Sequence, residues 1–217
     1  MKIDLNSLIG TSERNEPSRE DLAPFVSKAG AIFSACGLRE TELVKKVVPY
    51  FGRVLFDIGD SSLNTWSNGK PLVDPTGYEP ATKGLLMAGG VGVGKTTIMR
   101  VMAASIHGEY ITVPALATTF SKHGADGFWN AVNRAEHWDL FLDDLGAEDD
   151  VKSYANILPI KELIYQRYDL WQRKGVRTHV STNCIGDQIE TRYGVRIRDR
   201  LREMMVLAVG TGDSLRK

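Results

Sequence analysis

Cysteine is nearly missing from this chain. Cys36 and Cys184 are its only two among 217 residues, far apart and without partners at metal-ligand spacing, so a disulfide framework and a zinc site are both excluded. The pair reads as reduced thiols. Net charge is missing as well: Lys and Arg number 27, and so do Asp and Glu. No overall field draws such a protein toward nucleic acid or an anionic membrane, and any such contact has to come from a local patch. Nowhere do about 18 apolar residues run together. The N-terminal MKIDLNSLIG carries Lys2 and Asp4 and lacks the apolar core of a signal peptide. A cytoplasmic protein with no membrane partner is expected. There is no internal repeat and no low-complexity tract. Hydrophobic residues at 42% and charged residues at 25% match ordinary globular chains, which removes the disordered and fibrous classes.

What is present falls into two patterns. Residues 1–59 read as helical. Ser18 followed by Asp21 resembles a capping box, and Leu22, Phe25, Val26, Ala29, Ile32 and Phe33 then recur at helical spacing up to Gly37. Leu43, Val44, Val47, Val48 and Phe51 form a second stripe, which Pro49 is expected to kink or end. Residues 60–83 turn to Ser, Asn, Gly and Pro and read as a linker. From 84 onward, short apolar runs alternate with helical segments. The runs 84–89, 109–115, 138–144, 178–183 and 205–210 read as five strands, and 155–174 as the clearest helix, with Ile157, Ile160, Ile164, Tyr168 and Trp171 on one face. Strands apolar on both faces and separated by helices predict a parallel five-stranded sheet flanked by helices. The expected organisation is a helical N-terminal domain at 1–59, a linker at 60–83 and an α/β domain at 84–217.

The sequence GLLMAGGVGVGKTT carries the most specific signal. Gly89, four residues, Gly94, Lys95 and Thr96 follow a strand and open a helix, the context a phosphate-binding loop requires. Phosphate oxygens need several converging N–H donors, and glycines let the backbone curl tightly enough to supply them. Gly89, Gly90, Val91, Gly92, Val93, Gly94, Lys95, Thr96 and Thr97 are thus the expected binding residues for a nucleoside triphosphate. Lys95 adds a full charge, Thr96 offers a hydroxyl to Mg²⁺, and the following helix turns its positive end to the same anion.

LFLDDLG supplies two carboxylates at the end of an apolar strand. Asp143 is the expected second metal-holding residue, and Asp144 the residue that polarises an attacking water. Asn183, closing VSTN, stands at a strand end where ligands of open α/β sheets bind. The run RYGVRIRDRLREM holds five arginines in eleven residues. Most read as a solvated helix face, but Arg196 and Arg200 share one face at a spacing of four, and either could reach a neighbouring subunit's phosphate.

Taken together, GLLMAGGVGVGKTT, LFLDDLG, STN, RYGVRIRDRL and GDSLR resemble the AAA+ ATPases of the DnaC/IstB group, helicase loaders and transposition helpers, over roughly residues 80–217. The resemblance implies a P-loop AAA+ core that hydrolyses ATP with Mg²⁺ as a ring or spiral oligomer. It also implies single-stranded DNA and a replicative helicase as partners, or a transposase in the helper reading. By position it makes Asn183 sensor 1, Arg200 the arginine finger with Arg196 the less favoured alternative, and Arg216 the sensor 2 arginine. Three departures stand out: with Lys217 directly after the sensor 2 position no helical lid of the usual kind is expected, Asp144 replaces the more frequent glutamate, and residues 1–59 match no known partner-binding pattern. That N-terminal region is nevertheless where partner choice is expected to reside. For DNA contact the candidates are Lys122, His123, Phe128 and Trp129, or Lys152, Ser153 and Tyr154, each set pairing a cation with an aromatic ring. A small-molecule P-loop kinase is the rival of another class, though it would lack a sensor-like STN.

Overall fold

A computed structural model describes residues 19–59, 66–67, 70–71, 83–148, 154–184 and 186–211, of which 56–59, 66–67, 70–71, 134 and 154–158 are described by backbone alone. Two helices open the chain, α1 (Arg19–Ala35) and α2 (Glu42–Gly59). A short antiparallel pair, β1 (Trp66–Ser67) and β2 (Lys70–Pro71), follows. Then come β3 (Gly84–Gly89), α3 (Lys95–Ser105), β4 (Glu109–Thr112), α4 (Val113–Val132), a 3-10 turn (Asn133–Glu136), β5 (Leu140–Leu145), α5 (Tyr154–Lys174), β6 (Thr178–Thr182), α6 (Gly186–Tyr193), α7 (Val195–Met204) and β7 (Met205–Gly210). Ser18 of the expected capping box lies outside the described residues.

The five strands from β3 onward form one sheet in the order β4-β5-β6-β3-β7, and every pairing is parallel. The chain leaves β3 for the far edge at β4, returns through β5 and β6, and ends on the other side of β3. All five carboxyl ends therefore lie along one rim, with β3 between β6 and β7. Strand β4 is shorter than its apolar run because Thr112 caps α4, accepting a hydrogen bond from Ala115 N at 3.2 Å with proline in the first turn.

Burial on both faces of the sheet follows the period-2 alternation of strand side chains. Leu86, Leu140, Leu142 and Met205 face one core with α4, α5 and α7, whereas Leu85, Met87, Phe141 and Ala208 face a second core. That second core is completed by α3 and by the N-terminal helices, through Phe33, Leu43, Val47, Phe51 and Val54. The boundary expected at 60–83 thus separates two sequence patterns and not two cores, because α1 and α2 cover one face of the sheet. Pro49 sits inside α2 without ending it. The lost backbone bond is outweighed by the apolar stripe buried on both sides of the proline. Gly52 lets the two helices meet, since a Cβ there would lie 2.7 Å from the Val26 backbone.

At the opposite rim, buried charges knit the strand starts together. Arg167 of α5, 2% exposed, donates to the carbonyls of Ala135, Trp138 and Arg177 and to Thr178 Oγ1. Asp139 pairs with Arg177 at 2.8 Å. Burial alone would raise the Asp139 carboxyl, but Arg177 and His179 hold it well below the usual carboxylate range. His179 stacks on Phe141 at 4.2 Å and meets the edge of Tyr50 from α2, while the Tyr50 hydroxyl donates to Lys83 O at 2.9 Å.

Because α2 belongs to the sheet's own core, Phe51→Ala should lower the stability of the whole chain by about 3–5 kcal/mol. Far-ultraviolet dichroism and tryptophan fluorescence in urea should show one coincident transition. A separate early transition confined to helix would contradict the shared core.

Candidate functional site

Strand β3 ends at Gly89, and the chain then turns through residues 90–94 into α3. Gly92 and Gly94 hold φ of 87° and 94°, values at which a side chain would strain the backbone. Gly94 caps α3 with no side-chain hydrogen bond, and the helical ladder begins only at Ile98 N to Gly94 O, 3.0 Å. The first-turn amides are left for a ligand, and the helix dipole makes an anion the fitting one. Val93 is buried in the second core and anchors the loop, while Val91 is exposed.

Lys95, only 5% exposed, donates from Nζ to Gly89 O and Gly90 O at 2.8 Å each and to Asn183 Oδ1 at 2.7 Å. Those bonds draw β3, α3 and the end of β6 around one point. A cleft of about 520 Å³ opens there. Its walls include Val91, Gly92, Gly94, Lys95, Thr96, Thr97, Asp144 and Asn183, so eight expected site residues from three stretches of chain are brought together. The same cleft is closed on another side by Gly37, Leu38 and Arg39, the turn between α1 and α2. Sequence reasoning missed that turn, and its only local signal is Gly37 after a helix, with φ of 73°.

The two acids at the end of β5 diverge. Pairing of β5 with β6 shifts register between Leu142 and Leu145, and Asp144 takes φ of 59°, which turns its side chain to the cleft. Asp143 is fully buried instead. Its Oδ1 accepts from the Ser181 hydroxyl and its Oδ2 from the Tyr110 hydroxyl at 2.6 Å. Ser181 Oγ also accepts from Asp144 N at 3.0 Å, pinning both acids to β6. Burial, then the bond to Asp143, pushes the Tyr110 phenol up to about 12, so it stays a donor. A carboxylate has about four lone-pair positions, so two hydroxyls leave Asp143 acceptor capacity for a cation. Among the described residues no cluster of three or more His, Cys, Asp or Glu could hold a metal alone. Thr96 lines the cleft, whereas the buried Asp143 is not among its lining residues. Ser181 and Tyr110 were not legible as site residues.

The arginine run resolves into different roles. Arg192 is tied to the buried Glu148, which also accepts from Gly146 N and from the Tyr193 hydroxyl. Arg198 is tied to Glu190 and Asp199. Arg196 is exposed. Arg200 lies over the rings of Tyr165 and Tyr168, 4.1 and 5.0 Å from their centroids. Arg216 is outside the described residues, as are Lys152 and Ser153, and Tyr154 is described by backbone alone. Lys122 and His123 are exposed on α4. Phe128 corrects an expectation: it is fully buried, edge-on to Phe120 and Trp129, and Trp129 packs on the same core. The Phe128 ring is no platform for a base, because it holds α4 against the sheet, whereas Trp129 is only partly buried.

The sequence matches no family model and no curated protein. Solved structures are similar. The crystal structure of the DnaC helicase loader aligns with 79% of this chain and 92% of its own, at TM-score 0.52 and 19% identity. The crystal structure of DnaI aligns with 74% and 85%, at TM-score 0.51 and 19% identity. The fold is similar to that of the DnaC helicase loader and of DnaI. It comprises the P-loop, the parallel five-stranded sheet and its flanking helices. No helix among the described residues is long and apolar enough to cross a membrane.

The positive φ at Asp144 sets a stability order. Asp144→Gly should be more stable than Asp144→Ala by about 1 kcal/mol, the reverse of an ordinary strand position. Urea denaturation of the two variants checks it, and an alanine variant as stable as the glycine one would contradict the left-handed turn.

Proposed function

We propose that this chain is an ATPase of the helicase-loader kind, which binds ATP with Mg²⁺, hydrolyses it between copies of itself, and acts on single-stranded DNA alongside a replicative helicase. The observation that carries the reading is one cleft holding the uncapped start of α3, a buried lysine, an aspartate turned inward by a strained backbone, and an asparagine from the adjacent strand end. The likeness to helicase-loader folds supports it.

In this reading the amides of residues 90–97 bind the phosphates. Lys95 gives its charge to a terminal phosphate oxygen and releases Asn183, whose amide orients the attacking water. Asp144 accepts that water's proton. Mg²⁺, when bound, neutralises charge on the phosphate oxygens, with Thr96 and Asp143 as the residues that would hold it. Arg39 and Leu38 border the part of the cleft left for the rest of the nucleotide. Arg200 answers the γ phosphate of a neighbouring copy, and Arg216 takes the sensor 2 part. The outer surfaces of α1 and α2 are the docking element for the helicase.

Mixing two inactive variants tests the reading. Lys95→Ala should lose ATP binding, and Arg200→Ala should bind ATP yet hydrolyse it about 10³-fold more slowly. Combined, they should recover part of the activity, because an interface between unlike copies pairs an intact loop with an intact arginine. A mixture that co-assembles and stays inactive would contradict hydrolysis between copies.

A further inference from the structure

Arg200 differs from its neighbours in how its charge is met. Arg192 and Arg198 are held by carboxylates, which occupy the N–H edges of their guanidinium groups. Arg200 is met by two aromatic faces on α5, Tyr165 at 4.1 Å and Tyr168 at 5.0 Å from the ring centroids. Stacking of this kind uses the flat face of the guanidinium and leaves its fork of donors open.

An acid stands close enough to close that fork. Glu203 follows Arg200 by three residues on α7, a spacing at which helix side chains meet, yet the two form no ion pair among the described residues. Glu203 Oε2 instead accepts from the Tyr168 hydroxyl at 2.8 Å. That phenol oxygen in turn accepts from Gln172 Nε2 at 2.7 Å, one turn further along α5. Tyr168 therefore touches Arg200 with its ring and the competing acid with its hydroxyl.

From this geometry we infer that Tyr168 is a positioning residue for Arg200: its ring, with that of Tyr165, carries the guanidinium flat, and its hydroxyl diverts Glu203 so that the donor fork stays open to an anion. The inference rests on the reading of Arg200 as the group that meets a neighbouring copy's phosphate. Without the diverting hydroxyl, Glu203 would fold back and neutralise Arg200 within its own helix.

Steady-state ATP hydrolysis by full-length chains tests it. Tyr168→Phe keeps the ring and should keep the melting temperature, yet kcat should fall about tenfold with KM for ATP unchanged, the signature of a group acting only in the transition state. Glu203→Gln alone should hydrolyse at the wild-type rate. Added to Tyr168→Phe, it should restore kcat to within about twofold, because a neutral amide forms no ion pair with the guanidinium and holds it far more weakly than a carboxylate. A purely structural role for Tyr168 would not be repaired by changing Glu203. Tyr168→Phe at the wild-type rate beside a slow Arg200→Ala, or a double variant as slow as Tyr168→Phe, overturns the inference and leaves the role of Arg200 standing. Arg200→Ala at the wild-type rate overturns that role and the inference with it.

Discussion

A lysine ammonium buried to 5% exposure has to be matched by oxygen, since an unpaired charge in that setting would cost several kcal/mol. Lys95 finds its matches on the Gly89 and Gly90 carbonyls and on Asn183. That requirement ties the end of β3, the start of α3 and the end of β6 to one another. It also explains the strand order, because β3 must lie beside β6 for the lysine to reach the asparagine. In the proposed function a phosphate oxygen would take the place of an acceptor on this ammonium.

The second dependence runs through the cores. Leu85 and Met87 of β3 face α2 and α3, while Leu86 between them faces α5 and α7. Any displacement of β3 is therefore felt by helices on both sides. The turn between α1 and α2 borders the cleft, and the helices it joins are packed on the same strand whose end forms the loop. A partner held by α1 and α2 would accordingly be mechanically close to the nucleotide. On the other face, Glu148 joins the segment after Asp144 to Arg192 and Tyr193 of α6, next to the helix that carries Arg200.

What the sequence disclosed was whatever depends on short-range spacing. The phosphate loop, the five strands and the placement of Asp144 and Asn183 on one rim are of this kind, since each follows from a local pattern plus the rule that parallel strands share a direction. Residues defined by pairing across the sheet stayed hidden. Tyr110 and Ser181 reach Asp143 only because β4, β5 and β6 lie side by side in a particular register, and nothing in their spacing along the chain encodes it. The same holds for α1 and α2: a change of composition at 60–83 was visible, but contact between Val47 and the far side of that break was not. Phe128 stayed open between DNA contact and core packing because an aromatic beside cations reads alike on a surface and in a core. Arg167 shows the converse: three residues after Ile164 and four before Trp171 it stands beside the apolar face, and carbonyls at the strand starts satisfy its buried charge.

The most direct measurement of the central claim, that the uncapped start of α3 and the turn between α1 and α2 enclose one nucleotide, is amide hydrogen exchange with and without ATP and Mg²⁺. The account predicts slowed exchange at residues 92–97 and, together with it, at residues 37–39. Protection at neither segment would contradict a nucleotide in this cleft, and protection of 92–97 alone would remove the N-terminal helices from the site.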